Sequence, residues 1–304
     1  MNHFRPGLVH TPVTPFKADR SIDFDTYARL IEFHLRHGAE ALALPMHAGE
    51  SVSLSDAEQR KLLEFSIDKV QRRVPVIAHA SDSGTAIAAA RARHAEDVGA
   101  AAIVATTPYY WTPPAGMVLE HFTQIGAAVR LPFFVLYTPD EMPGTRLGTD
   151  LVLKLIDRLP NFAGIVDASL DWQFMVNVAW AANRARPQFQ LISGTEYMVS
   201  AGTLGATGML TSLAAIAPEL VRQLFGLCRK EQYFEARPCQ EQISALRQIV
   251  KRRGFAGLKA ALRALGRDCG TPRSPNGPLG PDAEAALAAE LEASGLLRSE
   301  PRGW

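Results

Sequence analysis

The chain has 304 residues, with 32 basic against 31 acidic side chains, 47% apolar and 21% charged residues, 23 glycines and 20 prolines. This composition excludes a disordered, collagen-like or coiled-coil chain and suits one large domain or two ordinary ones. A formal net charge of +1 gives no grip on phosphate backbones, so nucleic acid is not an expected partner, and the basic run Lys251-Arg252-Arg253 reads as a solvated helix end.

Eight short apolar, β-branched runs alternate with stretches of helical period: 7–13, 41–47, 75–80, 101–107, 132–137, 162–167, 189–193 and 207–212. Each is apolar at nearly every position, as a parallel strand covered on both faces requires. Behind the first run, Tyr27, Leu30, Ile31, His34 and Leu35 recur on one helical face. Gly38 and Gly99 stand just past predicted helix ends, where glycine takes left-handed backbone without steric cost. Ser55 and Glu58 form a capping box: the hydroxyl accepts the amide of Glu58, and the carboxylate accepts the amide of Ser55.

Eight βα units in about 220 residues match a (β/α)8 TIM barrel, which typically needs about 250. A doubly wound sheet is the weaker alternative, because no G-x-G-x-x-G follows the first strand and because closure removes exposed edges. Beyond residue 225 the strand pattern stops. The segment 231–266 reads as two helices, 270–281 is rich in Pro and Gly, and Pro281-Asp282 opens a last helix running to residue 297. The expected organisation is a barrel over 1–225 and a C-terminal helical extension over 226–304.

Cys228, Cys239 and Cys269 lie far apart, with neither a CxxC nor zinc-ligand spacing, and fit a reducing compartment. The opening residues show no basic-then-apolar leader, and no run approaches the roughly 18 apolar residues that cross a bilayer. A soluble, cytoplasmic protein with no membrane partner is expected.

In such a barrel the chemistry sits at the carboxyl ends of the strands. These ends present His10 and Thr14, His47 to Glu50, His79 to Asp82, Thr107 to Tyr110, Tyr137, Val166 to Ser169, Gly194 to Glu196, and Leu210 to Ser212. His47 and His79 close adjacent strands. One imidazole has the reference pKa, about 6.5, of a general base at neutral pH, and the two with Glu196 or Asp82 have the donor types of a two-His, one-carboxylate metal site. The bland alternative is a histidine that hydrogen-bonds a tyrosine or carbonyl. The ligands form no short motif, so neither metal nor cofactor is expected. His10, His34, His37, His94 and His121 read as packing, helix or loop residues.

Six segments in order resemble one family. Thr14-Pro15-Phe16 is similar to its first-strand TPF, Ala48-Gly49-Glu50-Ser51 to its GTTGES loop, and Thr107-Pro108-Tyr109-Tyr110 to its TPYY. Tyr137 with Gly144 resembles YNxPxxxG, 164–169 resembles GIKDAS, and 204–208 resembles the lGa.G turn before the last strand. The chain is thus identified as resembling the dihydrodipicolinate synthase and N-acetylneuraminate lyase family. That resemblance implies class I aldolase chemistry, in which a lysine condenses with a 2-oxo acid to an imine that serves as electron sink. It also implies a homotetramer of two tight dimers.

The resemblance carries Tyr137 over as the proton-shuttling tyrosine and Tyr110 as the one contributed by a neighbouring subunit. It implies a carboxylate site on the backbone of His47, Ala48 and Gly49. The chain departs from the pattern at four places. Val166 stands where the family has its lysine, His47 and Ala48 replace the threonine pair, Met142 replaces a carboxylate-pairing arginine, and His79 replaces a glycine. Of the seven lysines, Lys17 lies nearest the strand ends and reads as a solvated turn residue.

Two functional readings follow. One is a lyase-type enzyme acting on a small 2-oxo acid or sugar acid without an imine, with His47, Tyr137 and Tyr110 catalytic and Ala48, Gly49, His79, Glu196 and Leu210 touching the substrate. The other is a non-catalytic relative that binds a small carboxylate or assembles with an active paralogue. Asp167 is expected to organise its strand end through backbone hydrogen bonds, and Trp111 to fill a subunit interface.

Overall fold

The computed structural model describes residues 4–139 and 145–304. Eight strands close into a parallel barrel in sequence order: β1 (Leu8–His10), β2 (Ala41–Leu44), β3 (Val76–His79), β4 (Ala102–Thr106), β5 (Phe133–Tyr137), β6 (Phe162–Asp167), β7 (Gln190–Ser193) and β8 (Gly208–Thr211). A helix follows each: α1 (Phe24–Arg36), α2 (Asp56–Val70), α3 (Thr85–Asp97), α4 (Ala115–Ala127), α5 (Thr149–Arg158), α6 (Trp172–Ala185), α7 (Met198–Gly202) and α8 (Pro218–Arg229). Three further helices complete the chain: α9 (Tyr233–Lys251), α10 (Gly254–Ala264) and α11 (Pro281–Ser294). This is the (β/α)8 barrel with C-terminal helices read from the alternation of apolar runs. No described helix is long and apolar enough to cross a membrane.

The apolar runs overshoot the strands, chiefly at their carboxyl ends. Run 41–47 ends as a strand at Leu44, because Pro45 has no N–H for the ladder and His47–Gly49 turns into a 3₁₀ helix. Run 7–13 shrinks to Leu8–His10, just before Pro12.

The chain divides into two compact units, one reaching Gly7 and spanning Pro75–Leu210, the other Leu8–Val74 and Thr211–Trp304. In the first unit a chain of rings fills the core: Phe122, Phe133, Phe162 and Phe189 follow one another at centroid separations of 6.1, 5.9 and 5.3 Å. Each of these buried rings contributes about 2–3 kcal/mol by leaving water. In the second unit α1 buries Tyr27, Leu30, Ile31 and His34, the stripe visible in the sequence, whereas Leu35 is only half-buried. Asp23 caps this helix by accepting the Thr26 amide at 3.1 Å. Beyond it, Gly38 takes φ +87°. The Ser55–Glu58 capping box forms as expected, with the two reciprocal bonds at 2.9 and 3.3 Å.

Candidate active site

The second unit carries the turn after β2. Thr14 Oγ1 donates to the Gly49 carbonyl at 2.6 Å, and a Cβ on Gly49 would stand 3.2 Å from the Pro12 carbonyl oxygen, so the turn lies tight against the segment after β1. The Gly49 amide donates to Met46 O and that of Glu50 to His47 O, both at 2.9 Å. The turn itself thus uses the Gly49 N–H. Ala48 is half-buried beside it. His47 lies three residues beyond the end of β2 and is exposed, with its ring 4.6 Å from that of Phe255.

Glu50, next in the chain, adopts left-handed backbone at φ 55° and ψ 41° and is 1% exposed. Its Oε1 lies 2.7 Å from Nζ of Lys259, itself 2% exposed. Burial lowers the Lys259 pKa, and the Glu50 carboxylate opposes that shift. Nothing in the one-dimensional pattern marks Lys259 as a fully buried cation. Lys17, by contrast, sits exposed in a turn, its amide bonded to Ser21 O at 2.9 Å.

Also in this unit, His10 and His34 are completely buried, with their Nδ1 atoms 3.1 Å apart. Burial pushes His10 down to about 3 and His34 well below its ordinary value. Both are packing residues, as expected from sequence.

The first unit carries the other strand ends. Val166 is 3% exposed on β6, with Leu136 and Ile192 as its register partners. Tyr137 pairs instead with Asp167, and Asp167 with Ser193. Because side chains alternate along a strand, Tyr137 shares a face with Asp167, and Val166 shares the other with Leu136. The Tyr137 ring packs 4.8 Å from Phe174 of α6, and the Leu147 amide donates to its hydroxyl.

Asp167 is 3% exposed; its Oδ1 accepts the Ser169 amide at 3.3 Å, and its Oδ2 has no hydrogen-bond partner among the described residues. The backbone role expected from sequence is therefore present. What sequence missed is that burial raises this carboxyl to about 6. Gly194 passes so close that a Cβ there would lie 2.9 Å from the Asp167 carbonyl.

His79 closes β3 and is buried, and Glu196 is 1% exposed just after β7. Leu210 is half-buried in β8. Asp82, one candidate metal ligand, instead accepts the Gly84 amide at 2.8 Å and pairs with Arg91 at 3.2 Å. Among the described residues no group of three or more His, Cys, Asp or Glu side chains is disposed to hold a metal ion. Tyr110 has φ 89° and is 100% exposed, with Trp111 beside it half exposed. Met142 and Gly144 lie outside the described residues.

A closed eight-stranded parallel barrel with a helix after each strand defines a TIM-barrel protein, an architecture that carries chemistry at the carboxyl ends of its strands. The dihydrodipicolinate synthetase family matches residues 5–294, and the chain belongs to that family. It is 33% identical over 298 residues to an uncharacterized DapA-like lyase of Halobacterium salinarum, covering 96% of this chain and 94% of the relative. It is 31% identical over 293 residues to 4-hydroxy-tetrahydrodipicolinate synthase of Rhizobium meliloti, covering 96% and 99%. Among solved structures it resembles YagE, a prophage protein of E. coli K12 in the dihydrodipicolinic acid synthase family, determined in complex with pyruvate. The TM-score is 0.89 at 25% identity, covering 96% of this chain and 99% of that one.

Proposed function

We propose that this lyase-family protein acts on a small 2-oxo acid or sugar acid without forming an imine. One observation carries the reading: all seven lysines lie outside the eight strands, and Val166 occupies the β6 position to which the resemblance assigns the nucleophile. An alkyl side chain does not condense with a ketone, whatever surrounds it. Family membership and the pyruvate complex of a relative support a 2-oxo acid as the substrate class.

In this reading the turn at 47–49 receives the carboxylate, with the Ala48 amide as donor because that of Gly49 is engaged by Met46. His47 transfers a proton through an exposed imidazole whose reference pKa, about 6.5, lies near working pH. Tyr137 is the second proton-transfer group, and His79, Glu196 and Leu210 contact the substrate. Tyr110 and Trp111 meet a second copy of the chain in a cytoplasmic homotetramer built from two tight dimers. A panel of 2-oxo acids and sugar acids, assayed for turnover with wild type and His47→Ala, tests the reading. Turnover of at least one acid is expected, and binding without turnover across the panel would make the protein a non-catalytic carboxylate binder.

A further inference from the structure

Behind the turn at 47–49 lies a cluster of cations supplied by the C-terminal helices and the segment joining them. Lys259 of α10 contacts Glu50 at 2.7 Å and lies 4.3 Å over the Phe16 ring. Arg273 covers the same ring at 4.5 Å. Its backbone N–H donates to Glu50 Oε2 at 2.8 Å, so the two carboxylate oxygens of Glu50 face two separate donors. The Arg273 guanidinium is bidentate on Glu58 at 2.6 and 2.8 Å and also donates to Ser53 O at 3.1 Å. The Phe16 amide bonds Cys269 O at 3.2 Å, and a Cβ on Gly270 would lie 2.0 Å from Phe16 O, which demands glycine there. Two of these contacts, from Lys259 Nζ and the Arg273 N–H, meet on Glu50, the residue held in left-handed backbone where the turn ends.

We propose that Lys259 and Arg273 are positioning residues. By pinning the Glu50 carboxylate from behind, they hold the preceding turn in the shape that presents the Ala48 amide and His47, so the carboxylate site is assembled only while 259–273 is docked. A left-handed non-glycine residue persists only where its surroundings over-determine it, and here the determinants are the Lys259 ammonium and the Arg273 backbone N–H, both far away in sequence. The inference rests on the carboxylate role proposed above for the turn, and deepens it.

Hydrogen exchange of the full chain without ligand, followed by calorimetric titration with pyruvate, separates the two ideas. In Lys259→Met, and in Arg273→Gln should the first variant fail to fold, amides of 47–53 are expected to exchange about 10-fold or more faster, while those of α4 to α6 are unchanged. Pyruvate affinity should fall by about 10-fold as well, since a mobile turn must be ordered on binding. Arg186→Gln is the comparator. It removes a guanidinium that donates to Leu159 O and Phe162 O at 3.0 and 2.7 Å, so it should lower stability without altering exchange at 47–53. Unchanged exchange at 47–53 in folded Lys259→Met and Arg273→Gln would overturn the proposal, as would a borohydride-stable pyruvate adduct on Lys259, which would make it a nucleophile. If wild type binds neither pyruvate nor any other 2-oxo acid, the proposed function falls, while the exchange data still decide the positioning role.

Discussion

Tyr137 and Asp167 are register partners at the carboxyl ends of β5 and β6, a phenol and a buried carboxyl on one face of the sheet. Burial holds the Tyr137 pKa above the usual phenol range; the Leu147 amide and Arg146 oppose this, and the carboxylates of Asp167 and Asp171 add to it. The pairing gives the strand end a titratable group with a defined sign.

Asp167 has its pKa raised from 3.8 to about 6 by burial, so between those values the folded chain binds more protons than the unfolded one. Its neutral form is favoured in the fold, and stability falls as pH rises from about 4 to 6, by up to about 3 kcal/mol. Asp167→Asn removes that dependence while its carbonyl still accepts the Ser169 amide. Its stability relative to wild type should therefore improve on going from pH 4 to pH 7, as measured by urea unfolding at both. A difference that does not vary with pH contradicts the assignment.

The His10–His34 pair titrates in the opposite sense. With Nδ1 atoms 3.1 Å apart, one must donate and the other accept, so the accepting ring is neutral, and burial disfavours charge on both. The unfolded chain takes up protons near pH 6.5 that the folded one refuses, so stability drops as pH falls below that value. The expected slope in unfolding free energy approaches one to two protons per pH unit. Proton uptake on acid unfolding, compared with a His34→Gln variant, should show the loss of at least one proton; equal uptake would exclude the pair as its source.

How much of this was legible beforehand depended on whether the information was local. The barrel was, because strands buried on both faces must be apolar throughout, and runs such as 162–167 became β6 residue for residue. Strand ends were less so where proline or a turn intervened, as at Pro45. The ion pair of Glu50 with Lys259 was invisible, because each residue looks like an ordinary surface charge until the fold brings the chain's two ends together. The raised pKa of Asp167 is hidden for the same reason: it belongs to the atoms that cover the carboxyl.

His47 is exposed and outside every strand, so His47→Ala should leave thermal stability within about 0.5 kcal/mol of wild type. On any acid the protein turns over, the same variant should lose about 100-fold in kcat. Retained kcat would remove the imidazole from the reaction.

Tyr110, fully exposed, and Trp111 beside it are large aromatic side chains of the kind that anchor interfaces. Tyr110→Asp with Trp111→Glu should convert a self-associated protein into monomers in sedimentation velocity runs, with the circular dichroism of the barrel unchanged. A variant that sediments like wild type would exclude this surface as the contact.

The most direct test of the imine-free reading is intact-mass analysis after incubation with pyruvate and borohydride, with Val166→Lys treated in parallel. Wild type should emerge unmodified while the variant gains one reduced pyruvate adduct mapped to position 166. An adduct on wild type, at Lys259, Lys17 or any other amine, would return the protein to Schiff-base chemistry.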